Sequence, residues 1–234
     1  MLTLITFPPK FGEPAASPFC VKAIYMLNGS KLPWDREDTN DPRKMPRAKL
    51  PVLRTDTNLI HGSDNICLYL TKHGHDLDRS LSTSDRAISQ AMIRMTEEHL
   101  YFLLALDRWE RDEIWPIVRD AYFHEIPSLI RPIVTGGLRR TMLKGMHMQG
   151  LGRLTWSERM ERANQDFTAL ANQLGDKPYL FGDKPSNADA AIAPFLSGIM
   201  ATPGKTDLSL RVREDIKLSS YSARVSRALG ENNQ

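Results

Sequence analysis

The first residues follow the pattern of a strand, a loop and a helix, and this order constrains the fold of the chain more than any other feature. Residues 2–7 are rich in β-branched and aromatic side chains, and Pro8-Pro9 follow them, as at the end of a buried strand. Apolar residues at positions 21, 24 and 27 recur at helical spacing, and Pro18 suits the first position of a helix. Asn28-Gly29 indicate where this helix ends. The chain is therefore predicted to begin with a βα unit.

Ser17 occupies the predicted N-cap position of this helix. A helix N-terminus presents free N–H groups and a partial positive charge, so it lowers the pKa of a thiol placed beside it and favours the thiolate. The Ser17 hydroxyl can donate a further hydrogen bond to such an anion. Ordinary capping without catalysis is the alternative, and Ser17 alone does not distinguish the two.

A second group of short elements follows between residues 49 and 70. The segment Lys49-Leu-Pro-Val-Leu53 indicates a turn before a strand, and a hairpin is predicted after it. A Gly-Ser-Asp turn at 62–64 precedes apolar residues that include Ile66 and Leu70. A helix is therefore predicted to begin at Ser63.

Residues 83–174 are helical in pattern, and no strand pattern occurs in this half of the chain. One long segment places these residues at helical spacing on one face: Ile88, Met92, Met95, His99, Phe102, Leu103, Leu106 and Trp109. A second long helix is predicted over residues 156–174, because Thr155 and Glu158 have capping-box spacing. Ser186 and Asp189 have the same spacing, with Asp in place of the usual Glu, so both are assigned a structural role.

A basic stretch lies between Arg131 and Arg153, and it contains no acidic residue. Its basic residues are interleaved with leucines and methionines, a pattern that can contact anionic lipid or attract an acidic second substrate. A solvated helix face is the alternative. Glycines at 136, 137 and 145 predict a mobile or interrupted helix.

Composition excludes several classes of protein. A length of 234 residues permits one large or two small domains, and 31 basic against 28 acidic side chains indicate no nucleic-acid partner. Cys20 and Cys67 fall at apolar helix positions, and the six histidines show no ligand spacing, so neither a disulfide framework nor a metal site is predicted. No apolar run approaches the length of a membrane span, so no transmembrane segment is expected, and a reducing cytoplasm is the expected compartment.

The order of these elements resembles the thioredoxin-like N-terminal half of a glutathione S-transferase. The segment at residues 177–192, KPYLFGDKPSNADAAI, resembles the one that leads into the core helix of the transferase C-terminal domain. The combination of FPP, SPFC, YLFGD and NADA is most similar to the branch that contains the metaxins and the failed-axon-connections proteins. The resemblance implies an α/β thioredoxin-like domain over residues 1–76, followed by an all-α helical-bundle domain over residues 83–234.

The resemblance also implies roles for individual residues, with glutathione as the co-substrate. Pro51 falls where the family keeps a cis proline, which lets the backbone of Leu50 pair with a peptide-like ligand. Many transferases of this superfamily use a tyrosine near the end of strand one, where this chain has Phe7, so Ser17 is left as the group that stabilises the thiolate.

The γ-glutamyl end of glutathione is assigned to the turn at residues 62–64. Ser63 would place a hydroxyl and helix N–H groups against the γ-glutamyl carboxylate. The position before it is commonly acidic in the family and binds the glutathione amine, but here it is Gly62. Asp64 is the candidate substitute for that missing acid.

Two functions follow from the resemblance. The first is an enzyme that transfers the thiol of glutathione to a small hydrophobic electrophile, acts as a homodimer, and uses the long loop at residues 8–16 as a lid or specificity loop. The second is a noncatalytic transferase-like scaffold that binds a protein partner or a membrane surface, which the departure at Gly62 favours. A glutaredoxin-like reductase would need a cysteine where Ser17 stands.

Overall fold

A computed structural model describes residues 1–230. The N-terminal part of the chain forms a four-stranded mixed sheet. Its strands are β1 (Leu2–Thr6), β2 (Trp34–Asp38), β3 (Val52–Arg54) and β4 (Leu59–His61), in the order β2-β1-β3-β4. Strands β1 and β2 pair in parallel, whereas β1 with β3 and β3 with β4 pair antiparallel. Because parallel strands need a crossover, α1 (Pro18–Ser30) connects β1 to β2, and α2 (Ser63–Lys72) follows β4. The predicted βα unit and hairpin are confirmed.

Helix α1 extends slightly beyond its predicted end. The predicted terminator Gly29 lies inside the helix, and the chain leaves it at Lys31, whose φ is 58°. A Cβ at Gly29 would approach Leu77 Cδ2 to 3.1 Å, so the glycine serves close packing and not termination. The helix is buried along most of its length because the sheet covers one side and the helical half of the chain covers the other.

The rest of the chain is helical. The helices are α3 (Thr83–Met95), α4 (Tyr101–Trp109), α5 (Trp115–Tyr122), α6 (Arg131–Gln149), α7 (Trp156–Leu174), α8 (Asn187–Met200), α9 (Asp207–Arg213) and α10 (Ile216–Leu229), with a π-helical segment, Thr96–Leu100, between α3 and α4. Helix α8 is the most buried, since α1, α3, α9 and α10 pack around it. The predicted fold class, a small α/β domain followed by a helical one, is confirmed.

The basic stretch differs from its prediction. Helix α6 is continuous over 19 residues and ends at Gln149, although three glycines lie within it. Glycine weakens an isolated helix by about 1 kcal/mol per residue relative to alanine, but tertiary contacts decide the outcome here. Arg139 donates hydrogen bonds to the carbonyls of Trp109 and Glu110, and Met146 is buried, so both halves of α6 are held against the protein.

One hydrophobic core extends through both parts of the chain, and a smaller cluster around Ile114, Trp115 and Val118 includes Phe11 from the loop after β1. No helix within residues 1–230 is long and apolar enough to cross a membrane.

Candidate functional site

Three elements bring the predicted site residues to one end of the sheet. Strand β1 ends at Thr6, and its register places Ile5 opposite Val52, the first residue of β3. Val52 is in turn opposite His61, the last residue of β4. The start of α1, the turn before β3 and the start of α2 therefore lie at the same end of the sheet.

Ser17 precedes α1 in an extended conformation, with φ −116° and ψ 130°. Its carbonyl accepts from the N–H groups of Cys20 and Val21, at 2.9 and 3.1 Å, so the backbone fulfils the N-cap role. The side chain makes no capping hydrogen bond. The half-buried hydroxyl therefore does not cap the helix.

Cys20 lies one turn inside α1 and is fully buried. Burial raises the pKa of this thiol, against the opposing effects of hydrogen bonds from Thr6, the Phe7 backbone and Ser17. The pKa of Cys67 is likewise raised by burial, to about 11. Both cysteines are free, so neither has the features of a reactive thiolate.

The peptide bond between Leu50 and Pro51 is cis, which confirms the conformation expected at this position. Both residues are buried, and the carbonyl of Pro51 accepts from the Gly62 N–H at 2.9 Å. This hydrogen bond fixes the start of α2 beside the cis proline. Arg47 and Ala48 have φ of 57° and 50°, so a left-handed turn leads into the segment.

Ser63 is the first residue of α2 and is buried, and Gly62 stands at the N-cap. Gly62 has φ 79° and ψ 143°, a conformation that side-chain-bearing residues rarely adopt. Where the family resemblance implies an acidic residue, this chain thus has a glycine in a backbone conformation that suits glycine. The N-cap provides no side-chain hydrogen bond to α2.

Asp64 belongs to a charged network that connects the two parts of the chain. Lys22 on α1 is buried and donates to Asp64 at 2.5 Å and to the buried Glu97 at 2.6 Å. Arg94 on α3 bonds to both carboxylates, to Glu97 at 3.0 Å and to Asp64. Burial raises the pKa of Asp64, but the two cations lower it further, so its net pKa is depressed. The predicted amine-binding carboxylate is thus already paired with two cations.

This network was not predicted from the sequence. The available signal was Lys22, a charged residue between Val21 and Ala23 on a helix that is otherwise apolar. Its partner Glu97 lies in the π-helical segment, whose altered turn no spacing rule anticipates.

The loop at residues 8–16 is fastened to the helical half. Phe11 and Gly12 both have positive φ, and Phe11 packs on Tyr122 with ring centroids 5.7 Å apart. Glu13 accepts a hydrogen bond from Ser197 on α8 at 2.7 Å, and burial raises the pKa of Glu13. The loop therefore joins the two parts of the chain immediately before Ser17.

Asp189 lies away from this end of the sheet, in the core of the helical half, where it is fully buried. It accepts from the backbone and hydroxyl of Ser186 at 2.8 and 2.6 Å, from the Leu180 N–H at 3.0 Å and from the Tyr221 hydroxyl at 2.8 Å. The capping box at Ser186 and Asp189 is confirmed, as is that at Thr155.

Comparison with known proteins assigns both parts of the chain to one family. Residues 18–114 match the family model described as the glutathione S-transferase N-terminal domain, and residues 163–225 match the glutathione S-transferase C-terminal domain. The isoprene-epoxide–glutathione S-transferase of Rhodococcus sp. (strain AD45) is 31% identical, covering 96% of this chain and 98% of that protein. A metaxin-2 homolog of Caenorhabditis elegans is 30% identical over 74% of this chain and 76% of that protein.

Solved structures agree on the fold. Glutathione transferase F7 from Populus trichocarpa superposes with a TM-score of 0.62 over the full length of both chains, at 15% identity. A glutathione S-transferase of Ceriporiopsis subvermispora in complex with glutathione gives a TM-score of 0.61 at 16% identity, covering 100% of this chain and 98% of that one. The chain is a member of the glutathione S-transferase superfamily, in the branch that also contains the metaxins.

Proposed function

We propose that the chain binds glutathione in residues 1–76 and transfers its sulfur to a small hydrophobic electrophile held against the helical domain, residues 83–234. The observation that carries this proposal is the Ser17 hydroxyl, which stands at a helix N-terminus without capping it. The hydroxyl reaches the buried Cys20 thiol but forms no hydrogen bond with the backbone N–H groups of the first turn, as a capping serine would.

Ser17 acts on the thiol. Glutathione loses its thiol proton to solvent, and the Ser17 hydroxyl donates a hydrogen bond to the resulting thiolate. The positive end of the α1 dipole adds to this stabilisation. The bound thiolate then needs only proximity to an electrophilic carbon, so no covalent enzyme intermediate is required.

The other proposed contacts hold the tripeptide. The Leu50 backbone, presented by the cis peptide bond to Pro51, pairs with glutathione as an added strand. The Ser63 hydroxyl and the first N–H groups of α2 bind the γ-glutamyl carboxylate. Asp64 remains the candidate for the amine: Arg94 is half exposed, so the amine can displace it more readily than it can displace the buried Lys22.

A small epoxide is the electrophile best supported by the relatives. The Rhodococcus protein, which this chain matches over nearly its full length, is named for isoprene epoxide and glutathione. In that reaction class the thiolate sulfur bonds to an epoxide carbon, the carbon–oxygen bond breaks, and the ring oxygen takes a proton from solvent. The protein is also proposed to work in the cytoplasm and to form a homodimer. Sedimentation analysis would test the homodimer.

A noncatalytic scaffold is the second candidate. Gly62 lacks the acidic side chain usual at its position, Asp64 is paired with two cations, and metaxins are among the relatives. Under this function the fold would be kept for contacts with a partner or membrane surface, and conjugation would be absent.

Ser17→Ala tests the enzymatic proposal. A hydrogen bond to a charged group contributes about 1.5–3 kcal/mol, so the variant should raise the kinetic pKa of enzyme-bound glutathione by about one to two units. The measurement is the pH profile of conjugation to a small aliphatic epoxide. Ser157→Ala, at an exposed serine near the start of α7, is the control, and its profile should remain that of the wild type. An unchanged profile for Ser17→Ala would remove Ser17 from the mechanism.

A further inference from the structure

The outward face of helix α6 carries large apolar side chains that project into solvent. Leu129, in the turn before the helix, is 90% exposed, Ile133 is 78% exposed and Met148 is 69% exposed. Ile130, Val134 and Leu138 are also exposed. A helix that lies on a globular core normally turns its apolar residues inward, so this face is opposite to the expected pattern.

Helical geometry places the exposed apolar residues of the helix itself on one side. At about 100° per residue, Ile130, Thr141 and Met148 fall close to one line along the helix, flanked by Ile133 and Val134. The buried residues Thr135 and Met146 lie on the opposite side. We call the outward side, from Leu129 to Met148, the α6 face.

The same face is basic. No acidic residue occurs between Glu125 and Glu158. Arg140 and Lys144 are exposed, and within residues 1–230 neither forms an ion pair. Arg139, by contrast, turns toward the protein and pairs with Asp112. The charges of Arg140 and Lys144 are therefore available to a partner.

We propose that the α6 face docks on the surface of an anionic lipid bilayer. The apolar side chains at its two ends would enter the interfacial region, and Arg140 and Lys144 would contact anionic headgroups. Basic residues near such a surface each strengthen binding about fivefold. This inference is independent of the proposed glutathione site, which lies at one end of the sheet and not on α6.

Charge argues against a second copy of the chain on this face. A two-fold dimer would place the same patch on both sides, so Arg140 and Lys144 of each copy would meet a surface that also lacks acidic residues. A bilayer with anionic headgroups supplies the missing negative charge.

Vesicle co-sedimentation tests the proposal with the full-length protein. Vesicles of phosphatidylcholine with phosphatidylserine are compared with vesicles of phosphatidylcholine alone. The wild type should bind the anionic vesicles, and Ile133→Glu and the double variant Arg140→Glu/Lys144→Glu should each bind at least about tenfold more weakly. Ile216→Glu is the matched control, since Ile216 is 80% exposed on α10, which does not pack on α6. Its binding should equal that of the wild type.

Several outcomes would overturn the proposal. These are absent binding, equal binding to both kinds of vesicle, and binding that Ile133→Glu leaves unchanged. Sedimentation velocity without lipid covers the remaining occupants: self-association of the wild type that Ile133→Glu abolishes would assign the α6 face to a second copy. Circular dichroism of each variant checks that these exposed substitutions leave the helices intact.

Discussion

Gly62 shows how one residue can change both the chemistry and the backbone of a binding site. The family resemblance implies an acidic residue here that binds the glutathione amine, so restoring it is expected to restore amine binding. The structure adds that Gly62 has φ 79°, although a Cβ would meet nothing within 4 Å. Strain, and not space, therefore opposes a side chain at this position.

We predict that Gly62→Glu destabilises the protein by about 1 kcal/mol or more, because the backbone conformation disfavours any side chain. Gly62→Ala is the control, since it carries the same strain without the carboxylate. Calorimetric titration should show tighter glutathione binding for Gly62→Glu than for Gly62→Ala. Equal affinities would show that the amine is held elsewhere.

Asp189 is predicted to act through the fold. Its carboxylate accepts four hydrogen bonds in a fully buried position, so Asp189→Ala leaves several donors without partners and should cost about 3 kcal/mol or more. Denaturant unfolding measures this loss. Glu158→Ala, which removes the equivalent acid of the exposed capping box at Thr155, should cost much less. A stable but inactive Asp189→Ala protein would contradict the assignment.

Among the elements, local patterns predicted more than long-range contacts did. Helix α7 begins and ends at its predicted residues, because the capping box at Thr155 and the apolar spacing are both local. The glycines of α6 misled the prediction, since contacts such as those of Arg139 with the end of α4 stabilise that helix. The cis Pro51 could be anticipated only from family resemblance. The fastening of Phe11 to Tyr122 joins residues far apart in the chain and had no local signal.

The charged network between α1, α2 and α3 should be energetically coupled. Lys22→Met removes the buried cation of the network and leaves Glu97 and Asp64 with the half-exposed Arg94 alone, and breaking a buried ion pair costs about 3–5 kcal/mol. Adding Glu97→Gln should recover part of that loss, because the unpaired buried charge is then removed. A double-mutant cycle by denaturant unfolding measures the coupling, and additive effects of the two substitutions would contradict it.

In the whole molecule, the two parts of the chain are held together by contacts near the end of the sheet that carries the predicted site residues. Helix α1 packs between the sheet and α8, the Lys22 network spans the junction, and the loop before Ser17 is fastened to α5 and α8. The N-terminal part provides the proposed glutathione contacts, and the helical part holds those contacts in place. We predict that this arrangement binds glutathione.

Calorimetric titration of glutathione into the purified protein tests this prediction. The wild type should show saturable binding, and Ser63→Ala should weaken it by about tenfold to a hundredfold, because a hydrogen bond to the γ-glutamyl carboxylate is lost. Ser157→Ala, an exposed serine near the start of α7, is the control and should bind as the wild type does. Absence of binding at millimolar glutathione would contradict this prediction and favour the noncatalytic scaffold, whereas equal affinities for all three proteins would exclude Ser63 from the glutathione site.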